Sequence, residues 1–432
     1  MLIAASLLFY SAGSLVHLPL LLAVAAVNYL AGLLFQRQIR RKKPVLILAL
    51  ILNLGALVAF KYLDFFAQSV NSLFGLSVPL AGIALPIGIS FFTFQGLSYT
   101  IDVYRDRTLG TRSFWELLLY VSFFPQLIAG PIVKYHDVAE QIRHRFASAE
   151  DMAAGCRRFI VGLSKKLLLA DILAVAVDAL YEHSALGDAR LSLIAGVCYA
   201  MQIYFDFSGY SDMAIGMGRM FGFHFHENFD HPYTASTIRD FWRRWHISLS
   251  SWFREYLYIP LGGNRKGLAR TCGNVMLVFF LTGLWHGANW TFVLWGLWHG
   301  FWSVLERVTP LKKLSGTAVG HFYTLVVVML GFMLFRADSI AQAFSMIGSI
   351  FTGYGYSREA TLLLREILTW KVVAAAAVGV LLCTGLQRRL SAWAKEKRPL
   401  QAAAFVSALA LFALCILRLA SASFNPFIYF RF

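Results

Sequence analysis

The stretch from Asn274 to Glu306 places an ionisable side chain where a membrane protein tolerates one least. It reads NVMLVFFLTGLWHGANWTFVLWGLWHGFWSVLE and contains no Asp, Glu, Lys or Arg before its last residue. His286 lies twelve residues into it, which at a helical rise of ~1.5 Å predicts a position near the midplane of a ~30 Å hydrocarbon core. An imidazole titrates near neutrality, as a general base should. The pattern favours an enzyme with its proton-transfer group inside the membrane; a His that only hydrogen-bonds a neighbouring helix is the alternative.

The same stretch contains a near-copy of its central motif, GLWHG at 283–287 and again at 296–300. A spacing of thirteen residues turns a continuous helix by roughly 220°, so His286 and His299 cannot share a face of one straight helix. Either the helix breaks around Gly287–Asn289, or only one histidine is functional. Basic residues flank the stretch on both sides, which predicts two legs with a cytosolic entrance and an apex at this break. His299 lies nearer the charged end and is interpreted as structural.

A second group of chemistry-bearing residues lies in the sequence IRDFWRRWHISLSSWFREYLY from Ile238 to Tyr258. At 100° per residue it predicts one amphipathic helix. Its apolar stripe consists of Phe241, Trp245, Leu249, Trp252 and Tyr256. Its polar face consists of Arg239, Arg243, His246, Ser250 and Arg254. This face either lines the mouth of the His286 cavity, where guanidinium groups suit the phosphates of coenzyme A, or holds lipid phosphates at the membrane surface.

A third group, YFDFSGYSD at 204–212, puts two carboxylates into an apolar helix. Such groups are costly in a membrane unless they are paired or hydrated, so Asp206 and Asp212 are predicted to be structural partners of Arg or His groups. Gly209 is expected to let another helix approach closely. The segment FFPQLIAGPI at 123–132 predicts irregular backbone at membrane depth, which is typical of a substrate passage.

Composition identifies the class of protein that must position these residues. The 432 residues are 58% hydrophobic and only 14% charged, against ~25% charged in soluble domains. Many apolar runs reach the ~20 residues that span a bilayer, which predicts an all-α polytopic integral membrane protein. The runs lie at about 15–35, 45–63, 80–101, 115–133, 167–182, 191–217, 274–305, 318–335, 371–386 and 402–419.

The formal charge of +16 at first suggests nucleic acid. Lys and Arg cluster between the apolar runs, however, as the positive-inside rule predicts for cytoplasmic loops, so no nucleic-acid partner is expected and anionic lipid is. The five cysteines have neither metal-ligand nor disulfide spacing and are interpreted as buried and structural. No metal site is predicted.

Two long segments resemble the membrane-bound O-acyltransferase family, in its bacterial alginate O-acetyltransferase branch: NFDHPYTASTIRDFWRRWHISLSSWFREYLYIPLGGNRKG (228–267) and LTGLWHGANWTFVLWGLWHG (281–300). Segments at 85–105, 123–135, 204–216 and 424–432 resemble the same branch, so the similarity spans nearly the whole chain. The resemblance implies that His286, in the copy of GLWHG followed by Ala-Asn-Trp, is the catalytic His, and that His246 of RRWH is the second site residue. The candidates for substrate binding are Trp285, Asn289, Arg239, Arg243 and Arg254.

The resemblance also implies a fold and a setting. It implies one domain over residues 1–432, a ring of transmembrane helices around a thin centre with funnels meeting near His286, and a cytosolic amphipathic or re-entrant segment at 219–270. It implies a multi-pass protein of the bacterial inner membrane that takes acetyl from a cytosolic donor, acetyl-CoA, without a bound cofactor. A periplasmic SGNH-type partner would complete O-acetylation of an exported polysaccharide such as alginate. Relatives carry a further apolar segment before ASLLFYSAGSL, so the chain is expected to be short at its N-terminus.

The chemistry expected from these residues is acyl transfer to a hydroxyl. His286 would remove the hydroxyl proton as the oxygen attacks the thioester, which requires the neutral imidazole that burial favours. His246 would orient the donor or the attacking group. D-alanyl transfer to teichoic acid, from a sister branch, is one alternative. A transporter or channel for an acyl donor is another, although only the local GLWHG duplication suggests a repeat. The acceptor stays open between alginate, cellulose, another exopolysaccharide and a serine of the partner.

Overall fold

The computed structural model describes residues 1–37, 41–386, 397–421 and 427, and every regular element in these ranges is helical. The α-helices are α1 (Leu2–Ser14), α2 (Leu18–Gln36), α3 (Lys42–Lys61), α4 (Leu63–Phe74), α5 (Ile89–Arg105), α6 (Phe114–Ser122), α7 (Phe124–Leu127), α8 (Tyr135–Arg143), α9 (Ala149–Ser164), α10 (Asp171–Glu182), α11 (Ala189–Met220), α12 (Ile238–Arg244), α13 (Ile247–Phe253), α14 (Leu268–His286), α15 (Trp290–Val308), α16 (Ala318–Arg336), α17 (Ile340–Thr352), α18 (Arg358–Ile367), α19 (Trp370–Cys383) and α20 (Arg398–Ser421). Two π-helical turns cover Lys165–Ala170 and Arg254–Tyr258.

Six helical stretches in the described residues are long and apolar enough to cross a membrane, or seven if α18 and α19, bent by 72°, form one broken span. This confirms the prediction of an all-α polytopic membrane protein. The ring of helices and its two funnels stay a prediction. The six stretches are Leu2–Gln36, Lys42–Lys61, Ala189–Met220, Leu268–His286, Ala318–Arg336 and Ala402–Ser421.

The apolar run at 80–101 becomes helical only at Ile89, and residues 80–88 have a non-helical backbone. Pro79 and Pro86 remove N–H donors that a helix would use. The carboxylate of Asp64 accepts hydrogen bonds from the backbone N–H groups of Ala81 at 2.7 Å and Gly82 at 3.0 Å. An apolar composition therefore does not give a span here.

The irregular backbone predicted for 123–132 is confirmed, since α6 ends at Ser122 and α7 covers only Phe124–Leu127. The prediction that all five cysteines are buried was wrong for Cys156, which is exposed, and for Cys272, which is half-buried. The closing segment at 424–432, apart from Phe427, lies outside the described residues.

The chain divides into two compact units, each built from separated stretches. The first consists of Met1–Cys156, Ala214–Glu227 and Ser251–Tyr256, and the second of Arg157–Met213, Asn228–Ser250 and Leu257–Phe432. A buried polar group links α2, α3 and α5 within the first unit, where Asn28 and Asn53 exchange amide hydrogen bonds and Thr100 donates to Asn28. The second unit has an aromatic core that includes Phe241, Trp295 and Phe332. The prediction of a single domain stays a prediction.

Both carboxylates of the 204–212 group form ion pairs in the second unit. Asp212 Oδ2 lies 2.6 Å from Lys165 Nζ, and Asp212 Oδ1 lies 2.8 Å from Arg158 Nη2. Asp206 Oδ1 lies 2.6 Å from Lys166 Nζ, which also contacts Asp171. The predicted structural pairing is thus confirmed, with lysine as the partner of Asp206 in place of the expected Arg or His.

Close approach of α9 and α11 makes this pairing possible. A Cβ on Gly162 would lie 2.5 Å from the carbonyl oxygen of Gly209, so neither position accommodates a side chain without displacing backbone. The expected role of Gly209 is confirmed.

Candidate active site

The 274–306 stretch forms a helical hairpin. α14 ends at His286, Gly287 is extended with φ −174°, and Asn289 caps α15 by accepting a hydrogen bond from the backbone N–H of Thr291 at 3.0 Å. The break predicted at Gly287–Asn289 is confirmed. α14 begins at Leu268, however, so His286 is its nineteenth residue and lies about 27 Å along it. The position of His286 near the middle of the membrane stays a prediction.

The duplicated GLWHG motif has a packing explanation in this hairpin. A Cβ on Gly283 would lie 2.4 Å from the carbonyl oxygen of Phe292, and a Cβ on Gly296 would lie 2.3 Å from the carbonyl oxygen of Phe279. The first glycine of each copy is therefore where the two legs touch backbone to backbone. The duplication reflects two helices packed on each other, and it does not require two equivalent histidines.

His286 is 4% exposed and is surrounded by aromatic rings of the second unit. Its ring centroid lies 5.0 Å from Trp285, 5.0 Å from Trp295 and 5.2 Å from Phe335, in edge-to-face geometry with each of them. These rings enclose His286 in an apolar environment from which water is largely excluded.

His246 lies where the helix breaks between α12 and α13, so the prediction of one continuous amphipathic helix from 238 to 258 was wrong. α12 ends at Arg244, α13 begins at Ile247, and His246 has φ +44°. A residue other than glycine in this left-handed region carries strain of order 1–3 kcal/mol, and such residues cluster at functional sites. His246 is fully buried, and burial lowers its pKa to about 3, so its ring is neutral.

Asn228 stabilises the break between α12 and α13, and nothing in the sequence pattern indicated this role for Asn228. Its backbone carbonyl accepts from Ile247 N at 2.9 Å, and its side-chain Oδ1 accepts from Ser248 N at 3.1 Å. The same Oδ1 lies 3.2 Å from Nδ1 of His246, while Nδ2 donates to Ser211 Oγ at 3.0 Å. Asn228 therefore begins α13 in place of a local capping residue and fixes the histidine ring.

The two histidines lie close together although 40 residues separate them in sequence. Their ring centroids are 6.4 Å apart, and Trp285 lies 5.0 Å from His286 and 6.0 Å from His246. The two imidazoles are therefore near neighbours within one aromatic wall.

The three arginines do not share a face with His246, because the helix breaks and His246 turns inward. Arg239, Arg243 and Arg254 are exposed, and the side chain of Arg243 is 74% accessible. Arg239 and Arg243 belong to the second unit and Arg254 to the first. Binding of substrate by these arginines stays a prediction.

The two remaining substrate-binding candidates differ in their surroundings. Trp285 is buried beside both histidines, as just described. Asn289 is half-buried, and its amide is engaged in capping α15 and in a hydrogen bond of 3.3 Å from Nδ2 to the carbonyl of Asp338. Its contribution to the hairpin turn is clear from these contacts, and a contact with substrate stays a prediction.

Glu306 is a second positioning group that the sequence pattern did not indicate. It is 5% exposed, and its carboxylate accepts from Ile238 N at 2.6 Å and Arg239 N at 3.1 Å. These are orphan donors of the first turn of α12, so a carboxylate on α15 caps the helix that leads to His246. Its place in the sequence, at the end of an apolar stretch, suggested only the membrane boundary.

His299 lies in the aromatic core on the opposite leg from His286. It is fully buried, with ring centroids 5.2 Å from Trp242 and 5.3 Å from Trp295, and neither ring nitrogen has a hydrogen-bond partner among the described residues. Its assignment as a structural residue stays a prediction, which its surroundings allow to be tested.

We expect His299→Leu to keep most of the enzymatic activity and to leave the melting temperature unchanged or raise it. Replacing a buried polar group that lacks a partner by an apolar group of similar size is nearly neutral or stabilising. Thermal melts in detergent together with acyl-transfer rates check this. A folded His299→Leu protein without activity would make the second histidine functional.

The first unit contains a further group of titratable side chains, within which Asp102, His136 and Glu255 bring ligand-type atoms within 4.8 Å of one another. His136 Nδ1 lies 2.9 Å from Asp102 Oδ2, and this hydrogen bond raises the pKa of His136. Lys134 Nζ lies 2.8 Å from Glu255 Oε2, with Arg105 at 3.8 Å from Oε1. These cations already balance the carboxylates, so the geometry accounts for the cluster as an ion-pair network.

Comparison with known proteins agrees with the geometry. The probable alginate O-acetylase AlgI of Pseudomonas putida is 40% identical over the whole of this chain and 94% of its own length. The peptidoglycan O-acetyltransferase of Helicobacter pylori is 35% identical over 80% of this chain and 72% of its own length. The teichoic acid D-alanyltransferase of Bacillus subtilis is 29% identical over 46% of this chain and 53% of its own length. Residues 92–335, which include His246 and His286, match the family model described as MBOAT, membrane-bound O-acyltransferase family. With 40% identity over its whole length as well, the chain belongs to the membrane-bound O-acyltransferase family and is a multi-pass membrane O-acyltransferase.

Proposed function

We propose that this protein transfers an acetyl group from acetyl-CoA towards the O-acetylation of an exported polysaccharide, of which alginate is the first candidate. The observation that carries the proposal is the pair of buried imidazoles, with centroids 6.4 Å apart inside an aromatic wall. Acetylation in place of another acyl transfer is supported by the relatives from Pseudomonas putida and Helicobacter pylori, both of which are named for O-acetyl transfer.

In the proposed reaction His286 is the general base. A ring nitrogen of His286 takes the proton of the acceptor hydroxyl while the hydroxyl oxygen attacks the thioester carbonyl of acetyl-CoA. The carbon–sulfur bond then breaks and the thiolate of coenzyme A receives a proton, so that an ester and coenzyme A are formed. The buried rings of Trp285 and Trp295 exclude water, which would otherwise hydrolyse the thioester.

The setting is part of the proposal. The protein would lie in the inner membrane and receive acetyl-CoA at the cytosolic side, and it would work with a periplasmic SGNH-type partner that completes transfer to the polysaccharide. Acetyl-CoA acts as a substrate, and no bound cofactor is invoked. The chain's half-buried and exposed basic residues suit contact with anionic lipid headgroups.

The experiment is incubation of purified protein with acetyl-CoA labelled in the acetyl group, with and without an alginate oligosaccharide and a candidate periplasmic partner. We expect release of coenzyme A and a labelled ester that depend on the acceptor. The matched control is His286→Gln in the same detergent. Release of label at the same rate from the control would contradict the proposal.

Two alternatives predict different products. D-alanyl transfer has the support of the relative from Bacillus subtilis, which covers about half of this chain, and it predicts a labelled ester from activated D-alanine only. A transporter predicts movement of an acyl donor without thioester cleavage. The relatives named for O-acetyl transfer cover at least 80% of this chain, and a transporter requires no general base, which is why acetyl transfer is preferred.

The exposed arginines give a prediction about the donor. We expect Arg243→Ala to raise the KM for acetyl-CoA with little change in kcat, since a phosphate contact made equally in ground and transition states contributes uniform binding. If Arg243 only holds lipid, the substitution lowers yield or stability and leaves the KM unchanged. Rates in detergent and in nanodiscs of anionic lipid decide between them. Arg265→Ala, another exposed arginine of the second unit, is the control.

A further inference from the structure

The protonation of His246 can be determined from the hydrogen bonds of Asn228. The orientation of an Asn amide is normally ambiguous, because its oxygen and nitrogen look alike. Here the backbone N–H of Ser248, which can only donate, lies 3.1 Å from one terminal atom. That atom must be the oxygen, and the amide nitrogen then faces Ser211 Oγ at 3.0 Å, where it donates.

The position of this oxygen determines which nitrogen of His246 carries a proton. Nδ1 of His246 lies 3.2 Å from Asn228 Oδ1. Two acceptors at this distance would repel each other, so Nδ1 must be the N–H. The hydroxyl of Ser248 agrees, because its oxygen lies 2.9 Å from Asn228 Oδ1 but 3.4 Å from Nδ1, so its proton goes to the amide oxygen.

A neutral imidazole has one proton. With that proton on Nδ1, the Nε2 atom of His246 holds a lone pair and can only accept. A hydroxyl can donate to such an atom, whereas a thioester carbonyl oxygen, which needs a donor, cannot be bound by it. Of the two roles expected for His246, this geometry excludes orienting the donor through its carbonyl oxygen and favours orienting the attacking group.

We propose that Asn228 is a positioning residue that holds His246 in the Nδ1–H form, so that His246 accepts a hydrogen bond from the acceptor hydroxyl and aims its oxygen. This inference rests on the proposed acyl transfer for its chemical meaning. It thereby divides the pair: the single hydroxyl proton points to Nε2 of His246 while the acceptor binds, and it turns to His286, which removes it, as the oxygen attacks. Asn228 acts through His246 and need not touch substrate.

The test is nitrogen NMR of protein labelled with ¹⁵N-histidine in lipid vesicles, with the His246 signals assigned by their loss in His246→Gln. We expect the wild-type Nδ1 signal to show a bonded proton and the Nε2 signal to show none. A proton on Nε2 in the wild type would overturn the inference. This measurement requires no turnover, so a failure of the proposed function would not affect it.

Variants of Asn228 extend the test. Asn228→Leu should move the proton to Nε2 in part of the molecules and lower kcat about tenfold or more with little change in the KM for acetyl-CoA. Asn228→Asp keeps an oxygen at the same place, so it should retain the Nδ1 proton and recover activity relative to Asn228→Leu. A folded Asn228→Leu protein whose His246 signals match the wild type would overturn the positioning role.

Asn274→Leu is the matched control. Asn274 is a buried amide of α14, 3% exposed, that donates to the carbonyl of Gly263 at 3.0 Å and is not a partner of His246. Its loss should reduce stability about as much as the loss of Asn228, without a change in the His246 signals. The same change in His246 signals in both variants would show general loosening of the unit and contradict a specific role. If Asn228→Leu does not fold, the wild-type spectrum and Asn228→Asp still decide.

Discussion

His286→Gln is expected to lower the rate of acetyl transfer by about 10²–10⁴-fold, the usual contribution of a positioned general base. Glutamine is close to histidine in size and polar, so it should fill the space among Trp285, Trp295 and Phe335 without opening a cavity. It has no nitrogen that accepts a proton at neutral pH. Since the proposed base acts in the transition state, kcat should fall and the KM for acetyl-CoA should change little.

The measurement is initial-rate kinetics with labelled acetyl-CoA, accompanied by a thermal melt of each preparation. His299→Leu is the matched control, because it removes the histidine from the other copy of the same motif. An activity above about a tenth of wild type in folded His286→Gln protein would be far outside the range of a lost base and would remove His286 from the mechanism.

Lys166→Met is expected to give the largest loss of stability, about 3–5 kcal/mol, which is the usual cost of removing one partner from a buried ion pair. Lys166 is 4% exposed, and its Nζ lies 2.6 Å from Asp206 and 2.8 Å from Asp171. Methionine fills similar volume but leaves two carboxylates without this cation. Melting temperature and yield of folded protein in detergent measure the effect.

Lys165→Met provides the comparison. Its partner Asp212 keeps Arg158 at 2.8 Å, so this variant should lose less stability than Lys166→Met. The double variant Lys166→Met/Asp206→Asn should recover part of the stability that Lys166→Met alone loses. Equal losses in the two lysine variants would show that the pairing of Lys166 does not stabilise the fold.

The sequence identified His246 and His286 as candidate site residues, but it did not show that their rings lie close together. His286 was found because an ionisable group in an apolar stretch is costly, and the break at Gly287–Asn289 followed from helical periodicity and flanking charge. The closeness of His246 to His286 depends on tertiary packing, since Glu306 caps α12 from α15 and Asn228 accepts a hydrogen bond from Ile247, the first residue of α13. No local pattern reports contacts of this kind.

The wrong prediction of one continuous amphipathic helix has the same origin. A helical wheel assumes that a helix continues, and IRDFWRRWHISLSSW has good periodicity through a residue that the structure places at φ +44°. The five apolar positions of that wheel are nevertheless all buried, because hydrophobic burial is decided residue by residue. The predicted polar face requires one unbroken helix axis, so it does not form in the structure.

The end of α14 at His286 has an electrostatic consequence. The last four carbonyl groups of a helix have no partner within it, and together they act as about half a negative charge at the C-terminus. A histidine there experiences this field, which favours a positive ring by ~0.3–1 kcal/mol, and up to ~2 kcal/mol when partly buried. The helix dipole is already oriented towards the imidazolium that would form when the proton is taken. A base moved one turn towards the middle of α14 would lose that preorganised field.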